Sequence, residues 1–90
     1  MEELKPGQIV RSKAGRDKGR RYLVIKVLSP REVLLSDGRR RPLARPKKKN
    51  VAHLQAYSKR VEIEELIRSQ KLTDSQVKKY LCELAPQEEV

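Results

Sequence analysis

Residues 7–28 read GQIVRSKAGRDKGRRYLVIKVL, and this stretch decides how the N-terminal half of the chain folds. The apolar pair Ile9-Val10 precedes a basic loop, and an apolar run from Tyr22 to Leu28, interrupted only by Lys26, follows it. Short apolar runs joined by a glycine-bearing loop are typical of paired β-strands. We therefore predict a first strand over about Gln8–Lys13 and a second over about Arg21–Leu28.

The loop between these two strands is rich in cations and contains two glycines. Glycine tolerates backbone angles that a side chain forbids and lets another backbone approach closely. A polyanion would then meet main-chain N–H groups as well as cationic side chains. We interpret Asp17, the only acid, as a turn-forming residue. The candidate RNA-contact residues here are Lys13, Gly15, Arg16, Lys18, Gly19, Arg20 and Arg21.

The same residues resemble the KOW motif of large-subunit ribosomal proteins and of some transcription elongation factors. The likeness rests on Gly7, on Ile9-Val10 and on the loop AGRDKG at residues 14–19, which leads into an apolar strand. It is nearer to the ribosomal branch, where a loop of the form AGRDxGR precedes a hydrophobic strand. Many KOW sequences carry a further glycine where this chain has Arg21-Tyr22. The resemblance covers roughly the first 55 residues, and it implies a small SH3-like β-barrel that binds RNA, usually ribosomal RNA.

Three further short strands are expected. Glu32–Ser36 is the third, and Asp37-Gly38 after it is the strongest hairpin signal in the chain. The fourth would return through Leu43 towards Ala44, and after a basic connection over residues 46–50 the fifth would cover Val51–Gln55. Five short strands with tight turns predict a small barrel over about residues 4–56. Its other candidate RNA-contact residues are Arg39, Arg40, Arg41, Arg45, Lys47, Lys48 and Lys49.

Side-chain directions follow from the two-residue period of a strand. Lys26 marks the solvent face of the second strand, which places Leu23, Ile25 and Val27 inward. His53 is interpreted as a packed strand residue. The run Lys47–Lys49 is interpreted as exposed, so that its removal would change thermal stability little.

The period becomes helical after Tyr57-Ser58. Ile63, Leu66 and Ile67 fall on one helix face. Thr73 and Gln76 then have capping-box spacing, and an apolar stripe follows them at Val77, Tyr80, Leu81 and Leu84. We predict a barrel domain over residues 1–56, and over residues 57–90 two short helices, at about 59–85, with a C-terminal tail.

Charge and composition indicate the kind of partner. Residues 1–55 hold 16 Lys and Arg against 5 Asp and Glu, whereas residues 56–90 hold 6 against 7. Solubilising charge would not segregate in this way, whereas a nucleic-acid surface gathers it. The three aromatic residues are all Tyr, too few to form the stacking platforms of single-strand readers. We therefore expect recognition of phosphates and backbone shape in structured RNA.

The sequence contains no recognisable catalytic or metal-binding motif. There is no GxxxxGK phosphate loop, and His53 and Cys82 are the only histidine and cysteine. They are too few for a metal site or a catalytic pair, so we expect no cofactor and a structural, partly exposed Cys82. A single cysteine and the absence of a membrane-length apolar run are consistent with a cytoplasmic protein that does not enter a membrane.

The sequence therefore predicts non-catalytic binding of structured RNA. The resemblance implies that this RNA is ribosomal RNA of the large subunit, and we expect a ribosomal or ribosome-associated protein that is monomeric off the ribosome. A transcription-associated KOW module that binds RNA polymerase or nascent RNA is the alternative. A third hypothesis is that the barrel binds another protein and that its basic surface is incidental to this function. A permanent ribosome component, an assembly factor and a stress-associated partner all remain open.

Overall fold

The computed structural model describes residues 4–84, which form one antiparallel sheet followed by two helices. The expected C-terminal tail lies outside the described residues. The strand order is β4-β3-β2-β1-β5, and a short 3-10 turn at Val51–His53 joins the last two strands. The strands are β1 (Gln8–Ser12), β2 (Arg21–Val27), β3 (Glu32–Ser36), β4 (Lys47–Asn50) and β5 (Leu54–Arg60), and the helices are α1 (Glu64–Arg68) and α2 (Asp74–Leu84).

The first three strands are confirmed to within one residue at each end. The predicted fourth strand is wrong, because the segment around Leu43 is a loop and the expected connection Lys47–Asn50 pairs with β3 instead. Pro42 and Pro46 explain the shift, since proline lacks the N–H group that a strand ladder needs. The predicted fifth strand begins at Leu54 rather than Val51, since the Asn50 side chain caps a 3-10 turn by accepting from the Ala52 amide at 2.8 Å.

The five strands form an open sheet rather than a closed barrel. β4 and β5 lie at its two edges and, among residues 4–84, pair only with β3 and β1 respectively. β5 continues to Arg60, past the expected end of the sheet at residue 56. The structure therefore confirms a mainly β fold with two C-terminal helices.

Both faces of the sheet are buried at its centre. In β2, Tyr22 and Val24 point to one face, here called the front face, and Leu23 points to the other, the helix face. Full burial of an aliphatic side chain contributes about 1.5–3 kcal/mol to folding, so this two-sided packing is the main source of stability. The front-face cluster contains Val10, Tyr22, Val24, Val33, Leu35 and Leu54, and the helix-face cluster contains Ile9, Leu23, Ile63 and Val77.

The end of β2 departs from the expected alternation. Val27 was expected to face inward, but its side chain is 39% exposed. The register between β2 and β3 shifts between Val24 and Lys26, and such an irregularity re-aims the side chains that follow it. His53 was expected to be packed and is exposed on the 3-10 turn.

The helices cover the helix face of the sheet. The capping box is confirmed: the Thr73 amide donates to Gln76 Oε1 at 3.0 Å, and the Gln76 amide donates to Thr73 Oγ1 at 3.2 Å. Val77 is fully buried against the sheet, and Cys82 is exposed as expected. Helix α1 is only five residues long and ends before Gln70, whose φ of 58° is left-handed and stops the helix.

Candidate nucleic-acid interface

Six cations from three separate segments of the chain line one concavity of about 500 Å³ on the front-face side of the sheet. Arg16 and Arg20 come from the loop between β1 and β2, here called the glycine loop (residues 13–20). The others come from β4 and from the arginine loop (residues 37–46), which joins β3 to β4. We call this concavity the arginine groove, and its cationic members are Arg16, Arg20, Arg40, Arg41, Arg45 and Lys47.

The floor of the arginine groove is built around the buried carboxylate of Asp17. Ser12 Oγ and Lys49 Nζ each lie 2.8 Å from its Oδ1 atom, and Tyr22 Oη lies 2.9 Å from its Oδ2 atom. Lys47 Nζ approaches Oδ2 at 3.2 Å. The Asp17 side chain is only 6% exposed, so these four donors replace the water that a carboxylate normally binds. We call this set of residues the Asp17 network.

The Asp17 network shifts the pKa values of its two acidic members in opposite directions. Burial alone would raise the pKa of the Asp17 carboxyl, but hydrogen bonds from Lys49, Ser12, Tyr22 and Lys47 outweigh it and hold that pKa well below its usual range. Burial, followed by the hydrogen bond to Asp17 and the negative charge of Asp17, raises the pKa of the Tyr22 hydroxyl to about 12. Asp17 is therefore ionised and Tyr22 neutral at physiological pH.

The three lysines at residues 47–49 do not form one exposed patch. Lys49 is 10% exposed, and its ammonium also donates to the Ala14 carbonyl at 2.9 Å, so it ties β4 to the glycine loop. Lys47 lies on the same face but is 26% exposed, and it reaches the groove. Lys48 points to the helix face opposite Leu34, is 61% exposed and lies 3.8 Å from Glu32. The interpretation of Lys47–Lys49 as a uniformly exposed run is wrong, because alternate strand residues point to opposite faces.

The glycine loop has a fixed shape. The amides of Lys18, Gly19 and Arg20 donate to carbonyls of the same loop or of Ser12, at distances between 2.8 and 3.2 Å. Gly15 and Gly19 have φ values of 86° and 90°, which side-chain-bearing residues rarely adopt. The side chains of Lys13, Arg16, Lys18 and Arg20 are exposed around this loop, although Lys13 and Lys18 do not line the arginine groove.

The arginine loop is held by three acceptor side chains. Asp37 Oδ1 accepts from the amides of Arg39 and Arg41 at 2.8 and 2.9 Å, and Ser36 Oγ donates to the Arg41 carbonyl at 2.8 Å and accepts from the Gly38 amide. Asp74, the first residue of α2, accepts from the Leu43 amide at 2.8 Å. These bonds replace the expected strand pairing and place Arg40, Arg41 and Arg45 at the groove.

Two other predicted contact residues lie away from the groove. Arg21 and Arg39 lie beside α2, where they share a smaller concavity with Lys78. Within residues 4–84 no group of three or more His, Cys, Asp or Glu side chains could hold a metal ion. The described part of the chain also has no helix that is both long and apolar enough to cross a membrane.

The sequence did not predict the structural roles of two residues, Asp17 and Asp74. Asp17 was predicted only to form a turn. A single acid in a basic loop beside two strand ends is, however, a sign that its carboxylate pairs with neighbouring cations. Asp74 lies inside the recognised capping box, but its bond to the arginine loop spans 31 positions and has no local signal. No family model matches the sequence, and no curated protein matches it either.

Proposed function

We propose that this chain binds structured RNA without catalysing a reaction, by contacting phosphates from the arginine groove. The observation that carries the proposal is the convergence of six cations from three segments on one concavity. Among residues 4–84, the only acid that lines the groove is Asp17, which is buried and paired with lysines. The exposed side chains of the groove are therefore all cationic.

A polyanion is the ligand that best suits such a surface. Clustered like charges repel one another, and phosphates relieve that repulsion while releasing their own condensed counterions. Five of the six cations are arginines, whose planar guanidinium groups donate in pairs to phosphate oxygens. Hydrogen bonds within the arginine loop and the glycine loop fix the backbone of these loops before RNA binds. This preorganisation reduces the entropic cost of binding.

The aromatic residues support structured RNA rather than single strands. Single-strand readers expose aromatic rings on which bases stack. The one aromatic residue at the arginine groove is Tyr22, which is 2% exposed and donates its hydroxyl hydrogen to Asp17. Recognition from this groove therefore depends on phosphate positions and the shape of the RNA backbone.

Large-subunit ribosomal RNA is the RNA we propose, in a ribosomal or ribosome-associated protein of the SH3-like KOW type. The resemblance of residues 7–28 to the ribosomal KOW branch supports this choice. The fixed glycine loop adds support, because its two left-handed glycines lie within the segment that carries the likeness. Arg16 and Arg20 extend from that loop into the groove.

The salt dependence of binding to a large-subunit rRNA fragment tests the phosphate contacts. With about 5–8 phosphates contacted, log affinity should fall against log salt with a slope of about −4 to −6. Replacing Arg40 and Arg45 with Gln should make the slope shallower by about 1.5, because two contacts are lost. The matched control replaces Lys59 and Lys71, two exposed lysines that do not line the groove, and should retain the parent slope.

Two results would overturn the proposal. A parent slope near zero would show that phosphates are not the ligand. A groove variant that behaves like the control would show that the arginine groove is not the binding surface. Co-sedimentation with isolated large subunits, reversed at high salt, tests the ribosomal assignment separately, whereas co-purification with RNA polymerase after nuclease treatment would favour a transcription factor.

A further inference from the structure

A second cationic cluster lies beside helix α2, away from the arginine groove. Arg21 from β2, Arg39 from the arginine loop and Lys78 from α2 line a concavity of about 290 Å³. Asp37, Leu81 and Cys82 complete its lining. We call Arg21, Arg39 and Lys78 the helix-side cluster. Within the described part of the chain, three cationic residues and one acid line this concavity.

The helix-side cluster and the arginine groove belong to opposite faces of the sheet. Successive strand residues point to opposite faces, and Tyr22 lines the groove whereas its neighbour Arg21 lines the helix-side concavity. The arginine loop divides its side chains in the same way, since Arg39 lies in the helix-side cluster and Arg40 and Arg41 lie in the groove. One phosphodiester segment lying along the groove therefore does not also fill the helix-side cluster.

The helix-side cluster has fixed geometry. A Cβ atom on Gly38 would lie 2.5 Å from the Asp74 carbonyl and 2.9 Å from the Lys78 side chain, so the arginine loop packs directly on α2. The Arg39 amide donates to Asp37 Oδ1, which holds the backbone of that arginine in place. Arg39 and Lys78 are exposed, and their side chains are available to a ligand.

We propose that Arg21, Arg39 and Lys78 form a second phosphate-binding site, and that the chain bridges two segments of RNA. One segment occupies the arginine groove and the other occupies the helix-side cluster. This inference rests on the proposed function, because the ligand of both sites is the phosphodiester backbone of RNA. It assigns helix α2 a direct role, since Lys78 belongs to the site and α2 supports the loop that carries Arg39.

Cys82 provides a reporter for the second site alone. It is the only cysteine in the chain, it is exposed, and it lines the helix-side concavity. Its alkylation by a neutral reagent, iodoacetamide, can be followed with and without a short RNA duplex in excess. The rate should fall about tenfold when about nine-tenths of the second sites are occupied, because iodoacetamide reacts only with a thiolate that it can reach.

Two variants and a control separate the sites. Replacing Arg39 and Lys78 with Gln should leave one duplex bound, in the arginine groove, while Cys82 reacts at its RNA-free rate. Replacing Arg40 and Arg45 with Gln should weaken binding at the groove, so that at an RNA concentration that just fills both sites of the parent one duplex remains bound and Cys82 stays protected. The Lys59→Gln, Lys71→Gln control should bind two duplexes, as counted by native mass spectrometry, and protect Cys82 like the parent protein.

Three outcomes would overturn the second site. In the first, RNA binds the parent and requires Arg40 and Arg45, but Cys82 alkylation is unchanged, which leaves the proposed function standing. In the second, the Arg39 and Lys78 variant protects Cys82 like the parent. In the third, the control loses protection as well, so that the effect depends on net charge rather than on a site. Absence of RNA binding by the parent would instead refute the proposed function and this inference together.

Discussion

The ammonium of Lys49 lies 2.8 Å from the carboxylate of Asp17, and this pair joins strand β4 to a loop 32 positions earlier in the chain. The same ammonium donates to the Ala14 carbonyl, so a single lysine, with only 10% of its side chain exposed, binds both a side chain and the backbone of the glycine loop. This lysine thereby maintains the shape of the loop that presents Arg16 and Arg20 to the groove.

Removal of Lys49 should destabilise the fold, whereas removal of its neighbour should not. Lys49→Met leaves the buried Asp17 carboxylate without one of its two lysine partners, and we expect the free energy of unfolding to fall by about 2–3 kcal/mol. Lys48→Met removes an exposed side chain 3.8 Å from Glu32, and it should change stability by no more than about 0.5 kcal/mol. Urea unfolding of both variants measures the difference; equal effects would show that the Asp17 network is not structural.

Acid should weaken the fold through Asp17. The unfolded chain takes up a proton near pH 4 at this residue, whereas the folded protein resists protonation because its pKa is lowered. The unfolded state then binds more protons, so the free energy of unfolding falls as the pH drops below about 4. Urea unfolding at several pH values should give a shallower acid dependence in Asp17→Asn. Glu32→Gln, which removes a half-exposed acid, serves as the control and should keep the parent dependence.

Alkali should destabilise the fold through Tyr22. At this residue the folded state binds more protons than the unfolded state, which is the reverse of Asp17. The folded protein keeps the hydroxyl proton up to a pKa of about 12, whereas the unfolded chain loses it near pH 10. The contribution of Tyr22 to the free energy of unfolding is therefore fully present below pH 10 and declines as the pH rises towards 12. Tyr22→Phe should lose about 1–3 kcal/mol at neutral pH, because Asp17 loses a donor, and should lack this alkaline decline. A Phe variant as stable as the parent would contradict the importance of the hydroxyl.

Gly19 and Gly38, which both have a positive φ, should differ in how well they tolerate replacement by alanine. Gly19→Ala meets no atom within 4 Å and carries only the strain of a positive φ, about 1 kcal/mol. Gly38→Ala adds a collision with the Asp74 carbonyl and should cost more than about 2 kcal/mol, because backbone or helix α2 must move. Thermal unfolding of both variants tests the order. A reversed order would show that α2 does not pack on the arginine loop.

Asp74 should support RNA binding although it is an acid. Asp74→Ala removes a negative charge, which by Coulomb attraction alone would strengthen binding to a polyanion. It also leaves the Leu43 amide without its acceptor and loosens the arginine loop, so we expect RNA affinity to fall about fivefold, equivalent to about 1 kcal/mol. Glu83→Ala, an exposed acid on the same helix, provides the charge-matched control and should bind as tightly as the parent or tighter. Equal behaviour of the two variants would show that Asp74 has no positioning role.

Local sequence patterns determined much of the fold. The apolar runs of β1, β2 and β3 and the capping box of α2 depend on neighbours in sequence, so periodicity and spacing predicted them well. The concentration of cations before residue 56 is likewise read directly from the sequence. The position of β4 is not, because the run Lys47–Asn50 has no apolar alternation and becomes a strand only by pairing with β3.

Tertiary structure decided which cations share a surface. Strand alternation sends Lys48 to the helix face and Lys49 into the Asp17 network, although the two are adjacent and chemically identical. The arginine groove likewise needs residues from three segments, and its floor depends on contacts between Asp17 and two lysines about 30 positions away. Composition fixes how much charge a chain carries, but only the packing of strands fixes whether a given ammonium meets solvent or a buried carboxylate.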